Sequence, residues 1–100
     1  MTDAPSPKAL KKAADDRIAL YDALLSLRAR EEVDAFLSDL CTPSELRAFA
    51  ERWAVARLLD QQAQSYREIA LAAGASPTTV VRVARFLKDM QHQGYRLVLD

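Results

Sequence analysis

Residues 65–87, SYREIALAAGASPTTVVRVARFL, decide the fold because they predict two short helices joined by one tight turn. Ser65 is a favourable N-cap, and Glu68 stands three residues later, which is the spacing of a capping box. Gly74 follows the first apolar stripe, where the end of a helix needs a residue that tolerates positive φ. Ser76 is the next N-cap, and the proline behind it suits the first position of a second helix.

The second predicted helix has one apolar face. Val80, Val83, Ala84 and Leu87 recur at i, i+3, i+4 and i+7. The short side chain of Ala70 lets the second helix cross the first closely, and the two valines fill the angle between them. This spacing resembles the helix-turn-helix of bacterial repressors, whose second helix enters the major groove of DNA.

Several side chains would face outward from such a pair and contact DNA. Threonine hydroxyls can bond phosphates or bases, arginine reaches phosphate or guanine, and proline or valine can touch a thymine methyl group. The predicted DNA-binding residues are Ser65, Tyr66, Arg67, Ser76, Pro77, Thr78, Thr79, Val81, Arg82 and Arg85. Helix pairs with a glycine turn also occur in domains that touch no nucleic acid. The alternative is therefore a helical protein-interaction or scaffold module.

Length and composition predict an all-α protein of one domain, or one subunit of a small oligomer. The chain has 100 residues, half of them apolar, and only two glycines, and strand-like alternation is absent. No stretch is long and apolar enough to predict a membrane span, and the first residues lack the apolar block of a signal peptide. The lone Cys41 fits a reducing compartment. A cytoplasmic protein without a membrane partner is expected.

The formal net charge is zero, which is unusual for a DNA-binding protein. Its distribution is uneven, because residues 1–64 carry nine basic and eleven acidic side chains whereas residues 65–100 carry five basic and three acidic. The local field, rather than the total charge, steers a phosphate backbone. The charge pattern therefore allows DNA binding by the helix pair.

Two amphipathic helices are predicted in the first part of the chain. In residues 8–27, apolar side chains recur near every fourth position, and a second helix spans roughly residues 31–40. Lysines at the start of the first helix form a solvated face or reach toward DNA.

The strongest helix start in the chain follows Cys41. Thr42 is the expected N-cap, Pro43 the first helical residue, and Glu45 completes a capping box. This helix is predicted to run to about Gln61. Its apolar residues cover more than one face, which is typical of a central helix with neighbours on two sides. Near the end of the chain, Gly94 is expected to break the last helix and leave a short apolar tail.

The large apolar stripes of the first two helices cannot all be buried in one small unit, so a homodimer is predicted. A two-fold dimer would also place two recognition helices about 34 Å apart, one turn of DNA. The predicted organisation is a disordered arm at residues 1–7, a helical dimerisation region at 8–64, a helix-turn-helix DNA-binding unit at 65–90 and a C-terminal tail at 91–100.

Specific motifs recur in a fixed order along the chain. They are LCTPSE at residues 40–45, the Leu58-Leu59 pair, YREI at 66–69 and GAS at 74–76. In this order and spacing the chain resembles the Trp repressor-like family (TrpR/YerC/YecD) over about residues 24–87. RWAVA at 52–56 and the Gly94-Tyr95 pair are closer to the YerC/YecD branch. The resemblance implies an intertwined all-α dimer that binds double-stranded DNA and regulates transcription, with repression the expected sign.

The same resemblance indicates a ligand pocket that has been filled. Where the tryptophan-binding member has a glycine and a serine on its recognition helix, this chain has Val83 and Phe86. The arginine that meets the ligand's carboxylate is matched by Arg82, and the other ligand-clamping arginine by Glu51. The prediction is that tryptophan is not the corepressor. The base-contact positions also depart from the family pattern, so the sequence specifies neither an operator nor a small-molecule effector.

No constellation of residues indicates an enzyme. His92 is the only histidine and lies in a polar stretch without a cysteine pair nearby, so no metal site is expected. Acidic pairs such as Glu31 and Glu32 are adjacent on a helix and point in different directions, which suits neither acid nor base catalysis. A glycine-rich phosphate loop is also missing. The expectation is therefore no catalytic residue and no cofactor.

Overall fold

The structure is a computed structural model that describes residues 4–88 and 92–100. These residues form the helices α1 Pro7–Leu25, α2 Arg30–Leu40, α3 Pro43–Gln61, α4 Tyr66–Ala73, α5 Pro77–Lys88 and α6 Gly94–Leu99. They contain no strand, so the predicted all-α class is confirmed. The chain divides into two compact units, Met1–Leu40 and Cys41–Asp100.

The unit Met1–Leu40 contains α1 and α2. The Ser6 hydroxyl caps α1 by accepting a hydrogen bond from the Ala9 N–H at 3.1 Å, and Pro7 occupies the first turn. Pro7, which the sequence prediction placed in the arm, is therefore the first residue of α1, whereas residues 1–3 lie outside the described part. Lysines near the start of α1 pair with acidic residues one turn later, Lys11 with Asp15 and Lys12 with Asp16.

The apolar stripes of this unit are not buried within it. None of the residues of α1 and α2 is buried. Ile18 is 56% exposed and Leu25 is 83% exposed, although both belong to the apolar stripe of α1. Apolar side chains at helical spacing are expected to be covered by something. The apolar stripes predicted from the sequence are present, and contacts between α1 and α2 do not bury them.

In the unit Cys41–Asp100, α3 is the helix against which the others pack. It begins as predicted, because the Thr42 hydroxyl accepts a hydrogen bond from the Glu45 N–H at 3.1 Å and the Glu45 carboxylate accepts one from the Thr42 N–H at 2.8 Å. It contacts α4, α5 and α6. The buried core consists of Val55 and Ala56 from α3 together with Ile69, Ala70, Val80, Val83 and Ala84. This core holds the α4–α5 pair on α3.

The prediction for Gly94 was wrong, since this glycine begins α6 rather than breaking a helix. The left-handed conformation falls one residue earlier, on Gln93, with φ 54°. Two contacts to α3 fix α6: the Tyr95 ring stacks on Trp53 at 6.4 Å between centroids, and the Arg96 guanidinium pairs with the Asp60 carboxylate at 2.6 Å. Because these partners are distant in sequence, local patterns did not reveal the helix. Part of the predicted helix-turn-helix unit and tail, residues 89–91, lies outside the described residues.

Within residues 4–88 and 92–100, the length and hydropathy of each helix fall short of what a membrane-spanning segment requires.

Candidate nucleic-acid interface

Local hydrogen bonds fix both ends of α4. The Ser65 hydroxyl accepts from the Glu68 N–H at 3.2 Å, and the Glu68 carboxylate accepts from the Ser65 N–H at 3.0 Å. These two bonds are the capping box that the sequence predicted. The bond from the Ser65 N–H to the carboxylate is the main cause that lowers the pKa of the Glu68 carboxyl group. At the other end, Gly74 adopts φ 65° and the Ala75 N–H donates to the Ala70 carbonyl at 3.0 Å. The chain therefore turns sharply into α5.

The start of α5 is fixed in a similar way. The Ser76 hydroxyl accepts a hydrogen bond from the Thr79 N–H at 3.1 Å and lies 3.0 Å from the Thr79 hydroxyl. Pro77 takes the first helical position, where its missing N–H costs no hydrogen bond. The inward face then carries Val80 and Val83, which are almost completely buried. The opposite face of the pair is consequently held in one position on a rigid support.

An apolar groove runs along that opposite face, between the outer side of α4 and the start of α5. Its volume is about 340 Å³. The groove is lined by Tyr66, Arg67, Ala70, Leu71, Ala75, Pro77 and Val81. Leu71 is 77% exposed and Val81 is 49% exposed, so both apolar side chains face solvent in this unit. We refer to this feature, with these seven lining residues, as the outer groove.

Basic side chains flank the outer groove. Arg67 lines it directly, and Arg85 is exposed further along α5. In the described ranges the ion pairs join other residues, namely Lys11 to Asp15, Lys12 to Asp16, and Arg96 to Asp60 and Asp100. The guanidinium groups of Arg67 and Arg85 are therefore available for an external anion, such as a phosphate.

The ten residues predicted to bind DNA do not all face the same way. Tyr66, Arg67, Pro77 and Val81 meet at the outer groove, and Ser65, Ser76, Thr78 and Arg85 are exposed. Thr79, by contrast, is half-buried, and its hydroxyl is engaged with Ser76. Thr79 and Arg82 line a different cavity of about 240 Å³ beside α3. Thr79 is therefore less exposed than the sequence predicted, and its role in DNA binding stays a prediction.

The four residues of the predicted ligand pocket are also separated. Glu51 and Arg82 share the 240 Å³ cavity beside α3. Val83 is 1% exposed and belongs to the core, whereas Phe86 is half-buried with the Arg82 guanidinium 4.8 Å from the centre of its ring. Phe86 and Arg82 line a second, larger cavity of about 550 Å³ together with Trp53, His92, Gln93, Gly94, Tyr95 and Val98. Val83 thus fills core space, and Phe86 lies under Arg82.

Sequence reasoning missed Arg52. Its side chain lines the 240 Å³ cavity with Glu51, Thr79 and Arg82, so this cavity holds two guanidinium groups and one carboxylate. The Arg52 guanidinium also lies 5.1 Å from the centre of the Phe49 ring. Arg52 stands three residues before the buried Val55. Helical periodicity therefore places it beside the inward face of α3. The resemblance matches Glu51 to the second ligand-clamping arginine, and Arg52 lines the same cavity as Glu51.

The unit Cys41–Asp100 thus has the architecture of small all-α domains that mount a helix pair with a tight glycine turn on a longer helix. The sequence profile of the family described as Trp repressor protein matches residues 17–100. Because this match covers most of the sequence, the chain belongs to the Trp repressor family, and the resemblance seen in the sequence is confirmed.

Individual relatives agree with this assignment. The uncharacterized protein YerC of Bacillus subtilis (strain 168) is 38% identical over 81 residues, which cover 81% of this chain and 76% of YerC. A crystal structure of a candidate Trp repressor from Staphylococcus aureus superposes with a TM-score of 0.77 at 36% identity, covering 97% of this chain and 93% of that one. A TrpR-like protein from Eubacterium eligens ATCC 27750 gives a TM-score of 0.75 at 36% identity, covering 81% of each chain. Sequence and fold therefore indicate the same family.

Proposed function

We propose that this protein is a DNA-binding transcriptional regulator that uses the α4–α5 pair as a helix-turn-helix. One observation carries the proposal: the inward face of the pair is locked into the core while its outward face presents Arg67, Thr78, Val81 and Arg85 on a rigid support. A surface that positions guanidinium groups beside the start of an exposed helix suits phosphate contacts and an approach to the major groove. Membership of the Trp repressor family supports the same activity.

The regulator is proposed to act as a homodimer with repression as its effect. The exposed apolar stripes of α1 and α2 support dimerisation, since a second copy is the simplest cover for them. Two-fold symmetry would repeat the α5 surface about one helical turn of DNA away, on the order of 34 Å. The protein has no catalytic role in this proposal, and it acts in the cytoplasm, where bacterial DNA is found.

We further propose that tryptophan is not its corepressor. Val83 packs into the core, and the Arg82 guanidinium covers the Phe86 ring, so both groups are already engaged. Arg52 and Arg82 line a cavity where they could attract a carboxylate, so the proposal rests on Val83 and Phe86, which occupy the places of the smaller glycine and serine, rather than on charge. Isothermal titration calorimetry should detect no saturable tryptophan binding below about millimolar concentration, a free-energy threshold of roughly 4 kcal/mol. Saturable binding in the micromolar range would contradict it.

Selection of bound duplexes from a random DNA pool tests the proposed function. The expected result is a palindromic consensus whose half-sites are centred about ten base pairs apart. A non-palindromic consensus would contradict the dimeric mode of binding. A well-folded protein that enriches no sequence and binds no duplex at low salt would favour the scaffold function instead, because phosphate contacts dominate under those conditions.

A further inference from the structure

The hydroxyl groups at the start of α5 are largely committed to the protein itself. The Ser76 hydroxyl caps the helix by accepting from the Thr79 N–H at 3.1 Å, and it also lies 3.0 Å from the Thr79 hydroxyl. Pro77 has no N–H to offer. In the first turn of α5 this leaves the exposed Thr78 as the side chain most able to hydrogen-bond a base edge.

The rest of the surface beside that turn is apolar. The outer groove has a floor of small side chains, Ala70 and Ala75, and walls that include Leu71, Pro77 and Val81. Val81 lies one turn after Pro77 on the same side of α5, so the two form one continuous wall. Apart from Tyr66 and Arg67, the lining of the groove offers no side-chain hydrogen-bonding group, so its floor and the α5 wall can contact a base only through apolar groups.

Among the groups that the major groove displays, one is apolar. Thymine carries a C5 methyl group, whereas the other edges present hydrogen-bond donors and acceptors. Charge complementarity indicates DNA as the occupant rather than an apolar protein segment, because Arg67 lines the outer groove itself and is free of ion pairs within the described ranges. The guanidinium group at one wall suits a ligand that has phosphate groups next to the apolar group that enters the groove.

We propose that the outer groove reads thymine methyl groups and that Val81 is the residue that determines this specificity. The inference rests on the proposed function. It adds to that function the chemical group of the DNA half-site that α5 recognises. Val81 contacts the methyl group against the wall formed with Pro77, Thr78 supplies a hydrogen bond, and Arg67 contacts the backbone. Each half-site should therefore contain at least one thymine whose methyl group contributes to affinity.

Replacement of thymine by deoxyuridine tests this proposal, because it removes the methyl group and leaves base pairing unchanged. Duplexes selected from the random pool are rebuilt with deoxyuridine at one thymine at a time, and their affinities for the full-length protein are measured. At the thymine in contact with Val81 the affinity should fall about fourfold per half-site, and about fifteenfold when both half-sites are changed, as expected for burial of one methyl group each.

The variant Val81→Ala provides the second arm of the test. It should bind the thymine duplex more weakly, and its ratio of affinities for thymine over deoxyuridine should fall toward one. Arg85→Ala is the matched control, since it should weaken binding to both duplexes and keep the ratio at about fourfold. Val81 is half exposed and outside the core, so a thermal melt should show that the variant folds normally.

Each outcome separates this inference from the function on which it rests. A selected site at which every thymine tolerates deoxyuridine would overturn the reading of methyl groups while DNA binding stands. Sensitivity that persists unchanged in Val81→Ala would overturn the role of Val81. Failure of the pool to enrich any sequence would overturn the inference, and the absence of duplex binding at low salt as well would overturn the proposed function.

Discussion

The two glycines of the chain occupy different backbone conformations, although each ends or begins a helix. Gly74 adopts φ 65°, in the left-handed region that favours glycine. Gly94 is the first residue of α6 and has no positive φ. A Cβ atom added at either position would meet no heavy atom within 4 Å. The two sites thus differ in backbone strain and not in available space.

We therefore predict unequal effects of alanine at these two positions. Gly74→Ala should lower the free energy of unfolding by about 1 to 2 kcal/mol, because a side chain is strained at positive φ. Gly94→Ala should change it little, or raise it slightly, since alanine favours a helix. Urea denaturation of both variants measures the difference. Equal losses would show that Gly74 is not under the conformational constraint described above.

At the residue scale, the sequence predicted the roles of residues whose partners are nearby in the chain. It did not predict side-chain positions that depend on packing between helices. Ser65, Glu68 and Gly74 act through partners within a few residues, so their spacing in the sequence revealed their roles. The surroundings of Thr79 depend on how α5 packs against α3, and no local pattern encodes that packing.

Reciprocal capping boxes fix two of the helices, α3 and α4. In each, a carboxylate accepts a hydrogen bond from the backbone N–H of the N-cap residue, Glu45 from Thr42 and Glu68 from Ser65. The backbone hydrogen bond, followed by the hydroxyl of the same residue, holds the pKa of each carboxyl group below its ordinary value. A titrating group thus contributes to the cap at the start of α4.

This arrangement predicts a pH dependence of stability. A lowered pKa in the folded state means that the capping contribution is fully present above the ordinary value of 4.5 and is lost as the pH falls through the folded-state value. Glu68→Gln keeps a hydrogen-bond acceptor but cannot titrate. Chemical denaturation between about pH 3 and pH 7 should therefore show a weaker loss of stability on acidification in the variant than in the wild type. Identical pH profiles would contradict the capping role of this carboxylate.

Among the elements, α3, α4 and α5 were predictable because caps and apolar periodicity act within each helix. The helix α6 could not be predicted in this way. It is six residues long, it lacks a side-chain cap, and its anchors are the Tyr95 stack on Trp53 and the Arg96 pair with Asp60. Contacts between residues far apart in sequence leave no signature in a local window.

At the scale of the whole molecule, the predicted dimer accounts for the exposed apolar side chains of α1 and α2. Sedimentation equilibrium should give twice the chain mass of 11.1 kDa. Ile18→Glu places a charge in the stripe of α1 while retaining helix propensity, and it should shift the equilibrium toward monomer. Leu71→Glu is the matched control, because Leu71 is also exposed but lies in the outer groove; it should leave the dimer intact. A monomeric wild type would contradict the dimer.

The central claim is that the outward face of α4 and α5 binds duplex DNA through phosphate contacts. The most direct measurement is duplex affinity as a function of salt concentration for the wild type, Arg67→Ala and the control Lys12→Ala, whose ammonium group is paired with Asp16. The account predicts a steep fall of affinity with salt. It also predicts that Arg67→Ala reduces the log–log slope by about 2 per dimer, whereas Lys12→Ala leaves it unchanged. A folded protein that binds no duplex at about 50 mM salt, or a slope that Arg67→Ala does not alter, would contradict it.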